Sequence, residues 1–344
     1  MSVRFKLFYS LTLLLNCALN SRRKVMIEYY LKCFSKLRRD YKFGGAPHKP
    51  ILLLSIIRLI KNGTINSNQI FITPELVIEF KDLWSKLVHT PHSSNFALPF
   101  YHMKTEPFWK LNTIFGNEIP ITKSHSIKSL KSLKESIYCA EIDLDLYCLI
   151  EKDQNDDFEN YILEYYFLVS KTQISDYSKN YLFEEIEQQI LCDDTAVYQK
   201  RIEELNLKLN ETEFEEEIFV RGGVFKKEIP KIYKFQCAIS SMRIETSRNI
   251  QMIDACHIVP FAISNNDTIQ NGISLSPNLH RAFDRGIITI NSDYIVKVSS
   301  QIKENDSVFS LNQFDGKQIF LPENKTFWPL LENLEWHHFN RFMI

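Results

Sequence analysis

Apolar residues recur every three to four positions through "MIEYYLKCFSKLRRDY", residues 26–41, which predicts an amphipathic helix running to Tyr41. A Gly-Gly loop follows, then "APHKPILLLSIIRLIKNG". Here Pro50 suits the first turn of a helix, the unbroken apolar run from Ile51 to Ile60 predicts burial nearly all round, and Gly63 suits the C-terminal cap. A further helix is expected near "ELVIEFKDLWSKLV". The aromatic, proline-containing stretch "NFALPFYHMKTEPFWKL", residues 95–111, has no helical period. It is expected as loop and strand, with Phe100, Tyr101, Phe108 and Trp109 packing in a core or lining a pocket. From about 136 to 225 the pattern is helical and acidic, as in "YILEYYFLVS" and "LFEEIEQQI", and predicts a connector. Beyond it the period changes to strand, loop, strand, helix: "MIDACHIVPF", "SNNDTIQ", "NGISLS" and "PNLHRAF". Ser276 is placed to cap the last helix, Pro277 to open it and Gly286 to end it.

Such a ββα unit gathers His257 from the first strand, Asn271 from the start of the second and His280 from the helix. Phosphodiester hydrolysis needs an activated water, a cation to offset charge on the phosphate, and fixed geometry. An imidazole titrating near neutrality is suited to deprotonating that water, which nominates His257. Asn271 is expected to orient the imidazole through its amide oxygen. His280 is a candidate metal ligand, and Asp284, one helical turn on, shares its face and is a second. Asp254 is a weaker third, because an offset of three residues from His257 puts it on the opposite face of a strand. Taken singly each is a weak signal, since a lone strand histidine is commonly core and Asn-Gly alone reads as a turn. Their order on one ββα pattern is what points to chemistry.

Charge adds a partner. The net charge is −1 over 344 residues, yet residues 1 to 60 carry twelve Lys and Arg against two acids. A basic end on a neutral chain suits a polyanion or a solvated face. Seven cysteines, odd in number and without a CxxC pair, argue for a reducing, cytoplasmic setting and against a disulfide framework or a cysteine-ligated structural zinc. "MSVRFKLFYSLTLLLNCALN" has the basic start and apolar run of a signal peptide. Arg22, Arg23 and Lys24 follow it directly, and Met26 opens a cleaner helix, so residues 1–25 are taken as an extra N-terminal segment. No other apolar run is long enough to span a bilayer.

The segments "CAIS", "DACHIVPF" and "NGISLSPNLHRAFDRGIITI" together resemble the HNH (ββα-metal) nuclease domain, in the branch found in restriction endonucleases. The resemblance covers about 235–300. It implies His257 as the general base, Asn271 as the HNH asparagine and His280 as the metal-binding histidine, with a divalent cation, Mg²⁺ or Mn²⁺, as cofactor. Cys256 stands where many members carry a metal-binding acid. "APHKPILLLSII" followed by "LPFYHMKTEPFWKL" resembles, less specifically, the sulfur-binding domain that precedes HNH in enzymes cutting phosphorothioate DNA. Pro99 matches that family's pocket proline, and Leu98 stands where a tyrosine is usual. Arg38, Arg39, Lys42, His48 and Lys49 are candidates for phosphate contacts, with Pro99, Tyr101 and His102 at the pocket. The expected fold is α+β: an extra segment 1–25, a mainly helical DNA-recognition domain 26–135, a helical connector 136–225 and an HNH domain 226–344. The expected function is a metal-dependent DNA endonuclease of restriction type acting on modified double-stranded DNA as a homodimer, with no membrane partner. The alternatives are restriction of unmodified DNA and a non-catalytic DNA-binding protein.

Overall fold

The computed structural model describes residues 21–116, 127–168, 180–244, 252–305 and 307–343. The expected extra segment therefore lies largely outside the described residues; its last five, 21–25, are helical. The chain divides into two compact units, Met1–Tyr181 and Leu182–Ile344. Among the described residues no helix is long and apolar enough to cross a membrane.

The first unit is built around one apolar helix. Helix α1 spans residues 21–35 and α2 spans His48–Lys61, where every residue from Lys49 to Ile60 except Arg58 is buried. Helix α3 (Pro74–Leu87) starts at Thr73, whose side chain accepts the Leu76 N–H. A short antiparallel sheet in the order β1 (Gln69–Ile70), β3 (Ile137–Ile142), β2 (Trp109–Thr113) flanks these helices. Helices α4 (Ala97–His102), α5 (Leu130–Ser136), α6 (Leu144–Glu151) and α7 (Asp157–Ile162) complete the unit. Three details depart from the sequence pattern. Helix α1 stops at residue 35, short of Tyr41, because the Arg38 N–H bonds the Glu106 carboxylate at 3.2 Å in place of a helical carbonyl. Residues 97–102, expected as loop, form α4, started by Asn95, whose side chain accepts the Leu98 N–H at 2.9 Å. The aromatics of that stretch are core, with Phe100 edge-on to Trp109 at 5.3 Å. The segment expected to open the connector supplies β3, the central strand of the sheet, so 137–168 belongs to the first unit and 182–225 to the second.

The second unit begins with α8 (Tyr181–Cys192), α9 (Thr195–Lys208) and the long α10 (Glu211–Ile232). Asp194 caps α9 and Asn210 caps α10, each accepting a backbone N–H three residues on. The ββα unit follows: β4 (Asp254–His257), the short α11 (Phe261–Ser264), β5 (Gly272–Leu275) and α12 (Pro277–Asp284). Strand β4 is shorter than its apolar pattern suggests, since Pro260 has no N–H to give a partner and the chain turns there. The "CAIS" segment lies along β5, the Ala238 N–H bonding the Ser274 carbonyl at 2.7 Å. A hairpin of β6 (Ile288–Ile290) and β7 (Val296–Val298) and the helix α13 (Leu331–Asn340) close the unit. His337 docks α13: its Nε2–H donates to the Phe283 carbonyl at 3.0 Å, Nδ1 accepts from the Thr289 hydroxyl at 2.9 Å, and burial lowers its pKa to about 4.

Gly272 shows how closely α10 approaches the two strands. A Cβ there would fall 2.1 Å from Ile229 Cδ1 and 2.8 Å from the Phe225 ring. The residue that reads as half of an Asn-Gly turn is a strand position where only hydrogen fits. Gly272→Ala is expected to lower the stability of this unit by about 1–3 kcal/mol through overpacking, measured as a fall in thermal midpoint against the parent protein.

Candidate active site

Strands β4 and β5 pair antiparallel with His257 opposite Gly272 and Cys256 opposite Ile273. Side chains alternate along β4, so Asp254 and Cys256 face one way and His257 the other. On the first face lies α12. Asp254 is 3.2 Å from His280 Nδ1, Asp284 is 3.4 Å from His280 Nε2, and the Cys256 thiol points at Asp284 at 3.8 Å. Asp254, ranked last on the strand argument, is therefore a direct neighbour of His280. Being opposite His257 is what puts it there.

On the other face the His257 ring lies flat against Phe225 of α10, with centroids 3.9 Å apart and planes 7° from parallel. Its Nε2 is 2.8 Å from Asp267 Oδ1, and its side chain is 21% exposed against 1% for Asp267. The hydrogen bonds of the Asn271 side chain do not go to the imidazole. Its Oδ1 accepts the Val259 N–H at 2.9 Å, and its Nδ2 donates to the carbonyls of Val259 at 2.8 Å and Asn266 at 2.9 Å. The amide expected to orient His257 instead ties down the β4–β5 connection, because it is wholly buried where three backbone groups need partners. The carboxylate that does reach the ring, Asp267, was not singled out from sequence. Its signal was faint, one acid in a polar loop.

Among the described residues, Cys256, His280 and Asp284 form a group able to hold a metal ion, their donor atoms all within 4.8 Å of one another. A thiol, an imidazole and a carboxylate offer three different donors converging from one strand and one helix, which suits a divalent cation. Burial, reinforced by the carboxylates of Asp284 and Asp254, pushes the Cys256 thiol well above its ordinary range. The sulfur is a ligand only when a cation displaces its proton.

In the first unit a cavity of about 630 Å³ is lined by Arg38, Arg39, His48, Lys49, Pro99 and His102 among others. Six of the eight residues expected for DNA recognition thus share one hollow. Lys42 lies on the exposed surface and does not line it, and Tyr101 is buried in the core beneath. Lys49 and His48 are not free cations. Lys49 is buried, with its ammonium 2.5 Å from Glu106 and 2.9 Å from the Thr105 hydroxyl. His48 gives its Nε2–H to the Ser93 carbonyl at 3.0 Å, and burial lowers its pKa to about 4, so it is neutral at pH 7. Arg39 packs its guanidinium over Tyr166 at 4.4 Å, and Arg38 is exposed.

Residues 237–291 match the HNH endonuclease family model HNH_2. The chain carries an HNH endonuclease domain. The matched span holds β4, β5, α12 and β6, and with them His257, Asn271, His280 and Asp284. No curated protein matches the sequence. Among solved structures, the chain is similar to the Modification dependent TagI restriction endonuclease at 21% identity and a TM-score of 0.26, over 33% of this chain and 35% of that one. It is also similar to the Type IV phosphorothioation-dependent restriction endonuclease ScoMcrA, at 11% identity and a TM-score of 0.33, over 74% of this chain and 94% of that one. The chain spans about a third of the length of the first of these relatives.

If the HNH domain holds its cation through His280, removing that ring takes away the one nitrogen donor. His280→Ala is expected to weaken Mn²⁺ binding by at least about tenfold, or about 1.4 kcal/mol, in a calorimetric titration of the full chain.

Proposed function

We propose that this protein is a metal-dependent DNA endonuclease that hydrolyses phosphodiester bonds in the restriction of modified DNA. The observation that carries this reading is the HNH domain itself, in which His257 and the Cys256, His280 and Asp284 donors lie on opposite faces of one short strand. His257 takes a proton from a water molecule. The water oxygen attacks phosphorus, the bond from phosphorus to one sugar oxygen breaks, and that oxygen is protonated from solvent. His280 and Asp284, with Cys256 or Asp254 completing the set, would hold a divalent cation, which when bound would supply positive charge beside the phosphate. A sulfur donor favours Mn²⁺ or a softer ion over Mg²⁺, which prefers oxygen. Asn271 keeps the connection between the strands closed, so His257 and Cys256 hold their places on β4.

Recognition falls to the first unit. Arg38 and Arg39 at the rim of its cavity contact backbone phosphates, which gives affinity without sequence information. The apolar wall of Ala46, Leu98 and Pro99 suits a larger, less hydrated atom than a phosphate oxygen, as in a phosphorothioate. Each HNH domain cuts one strand, so double-strand cleavage uses two chains, and the six cysteines among the described residues, all free thiols, suit the cytoplasm.

The deciding experiment incubates the full chain with Mg²⁺, Mn²⁺ or no metal, on matched plasmids with and without phosphorothioate or methylated bases, beside His257→Ala. Cutting confined to one modified plasmid and reduced by about 10²–10⁴-fold in the variant supports the reading. Equal cutting of every plasmid would replace modification dependence by restriction of unmodified DNA, and binding without cleavage under any metal would leave a DNA-binding protein. For recognition, replacing Arg38 and Arg39 together by Ala is expected to weaken duplex binding and to lower the slope of log affinity against log salt by about 1.8, two phosphate contacts at about 0.9 each.

A further inference from the structure

The β4–β5 connection is bonded to α9 at two points and braced within itself at a third. The Gln199 amide donates to the Ser264 carbonyl at 2.7 Å, Asn266 Nδ2 donates to the Thr195 hydroxyl at 3.2 Å, and Asn266 Oδ1 accepts the Thr268 N–H at 2.9 Å. These bonds hold one side chain in an unusual place. Asp267 is 1% exposed, and its carboxylate faces His257 Nε2 at 2.8 Å through Oδ1 and the Tyr198 hydroxyl at 3.5 Å through Oδ2. Tyr198 is itself fully buried on α9. Burying a carboxylate costs free energy unless its partners compensate, so a carboxylate with these two partners is a costly way to fill space.

Two constraints therefore act on the His257 ring. Phe225, stacked on its face, fixes the plane, and Asp267 fixes the rotation within that plane. No described residue bonds Nδ1. We propose that Asp267 is a positioning residue: its carboxylate accepts the Nε2–H of His257, selects that tautomer, and leaves the Nδ1 lone pair to take the proton of the attacking water. The inference rests on the nuclease reading for its catalytic meaning, though not for its geometry. An imidazole with an unoccupied edge could carry its one proton on either nitrogen and turn about its Cβ bond. Only one of those states presents a base to water, and a second group that holds the ring in that state raises its population.

The test has two readouts on the full chain, with Asp267→Asn as the variant that keeps volume and Asp267→Ala as the one that removes the partner. ¹⁵N resonances of His257, assigned by their loss in His257→Gln, report the tautomer at a pH where the ring is neutral, with no DNA present. The expected result is Nε2–H alone in the parent and both tautomers in Asp267→Ala. In cleavage assays kcat is expected to fall by about 10–100-fold in Asp267→Ala, the scale for loss of an imidazole's outer partner, with KM unchanged and the thermal midpoint of Asp267→Asn close to the parent. An Nδ1–H tautomer in the parent, an unchanged tautomer in Asp267→Ala, or a kcat equal to the parent's would overturn the proposal. A parent protein that cuts no DNA sinks the nuclease reading and leaves the tautomer measurement to decide Asp267 by itself.

Discussion

The closeness of α10 to the two short strands is the constraint on which the rest of the second unit depends. A helix normally stands off a sheet by the depth of a layer of side chains. Here Gly272 removes one side chain from that layer, and Ile229 and Phe225 drop into the space. The consequence reaches His257 directly, because it is paired across from Gly272 and its ring rests on the same Phe225. One missing Cβ thus sets the height at which the imidazole lies. The Asn271 clamp at the adjacent position then fixes where the chain leaves the strand.

Much of the second unit was legible because its chemistry and its period coincide. The capping pattern Ser276-Pro277 with Gly286 marked α12 to within a residue, although the Ser276 side chain makes no capping bond, and Gly286 takes the positive φ of 67° that favours glycine there. What did not show was anything decided by a long-range partner. Asp267 is one acid in a polar loop, and only the path of that loop over α9 turns it towards His257. Asn271 looked like an orienting amide because sequence reveals that it is near, not which atoms are left unsatisfied beside it. The expected end of α1 failed for a similar reason, since the Glu106 carboxylate that captures the Arg38 N–H is 68 residues away along the chain.

The first unit shows the same limit in its electrostatics. The basic count of the N-terminal residues suggested a phosphate-binding face, and several of those residues do line one cavity. Counting charges overstates the field within it. The Lys49 charge is answered by Glu106, and His48 is neutral, so the two arginines carry most of what a phosphate would meet, beside the apolar wall of Leu98 and Pro99. The hollow is thus apolar along Leu98 and Pro99 and cationic where Arg38 and Arg39 line it.

The alternation of β4 has a consequence for how this domain can change over evolutionary time. With Asp254 and Cys256 turned to α12 and His257 to α10, inserting or deleting one residue inside the strand would exchange the two faces and send the imidazole to α12 and the Asp254 and Cys256 side chains to Phe225. The strand can therefore drift in residue type but not in length. The connection between Ile258 and Asn271 is under no such parity rule. It needs only to return an acid to the imidazole and an amide to Val259, so insertions in related chains should collect there and stay out of the four residues before it.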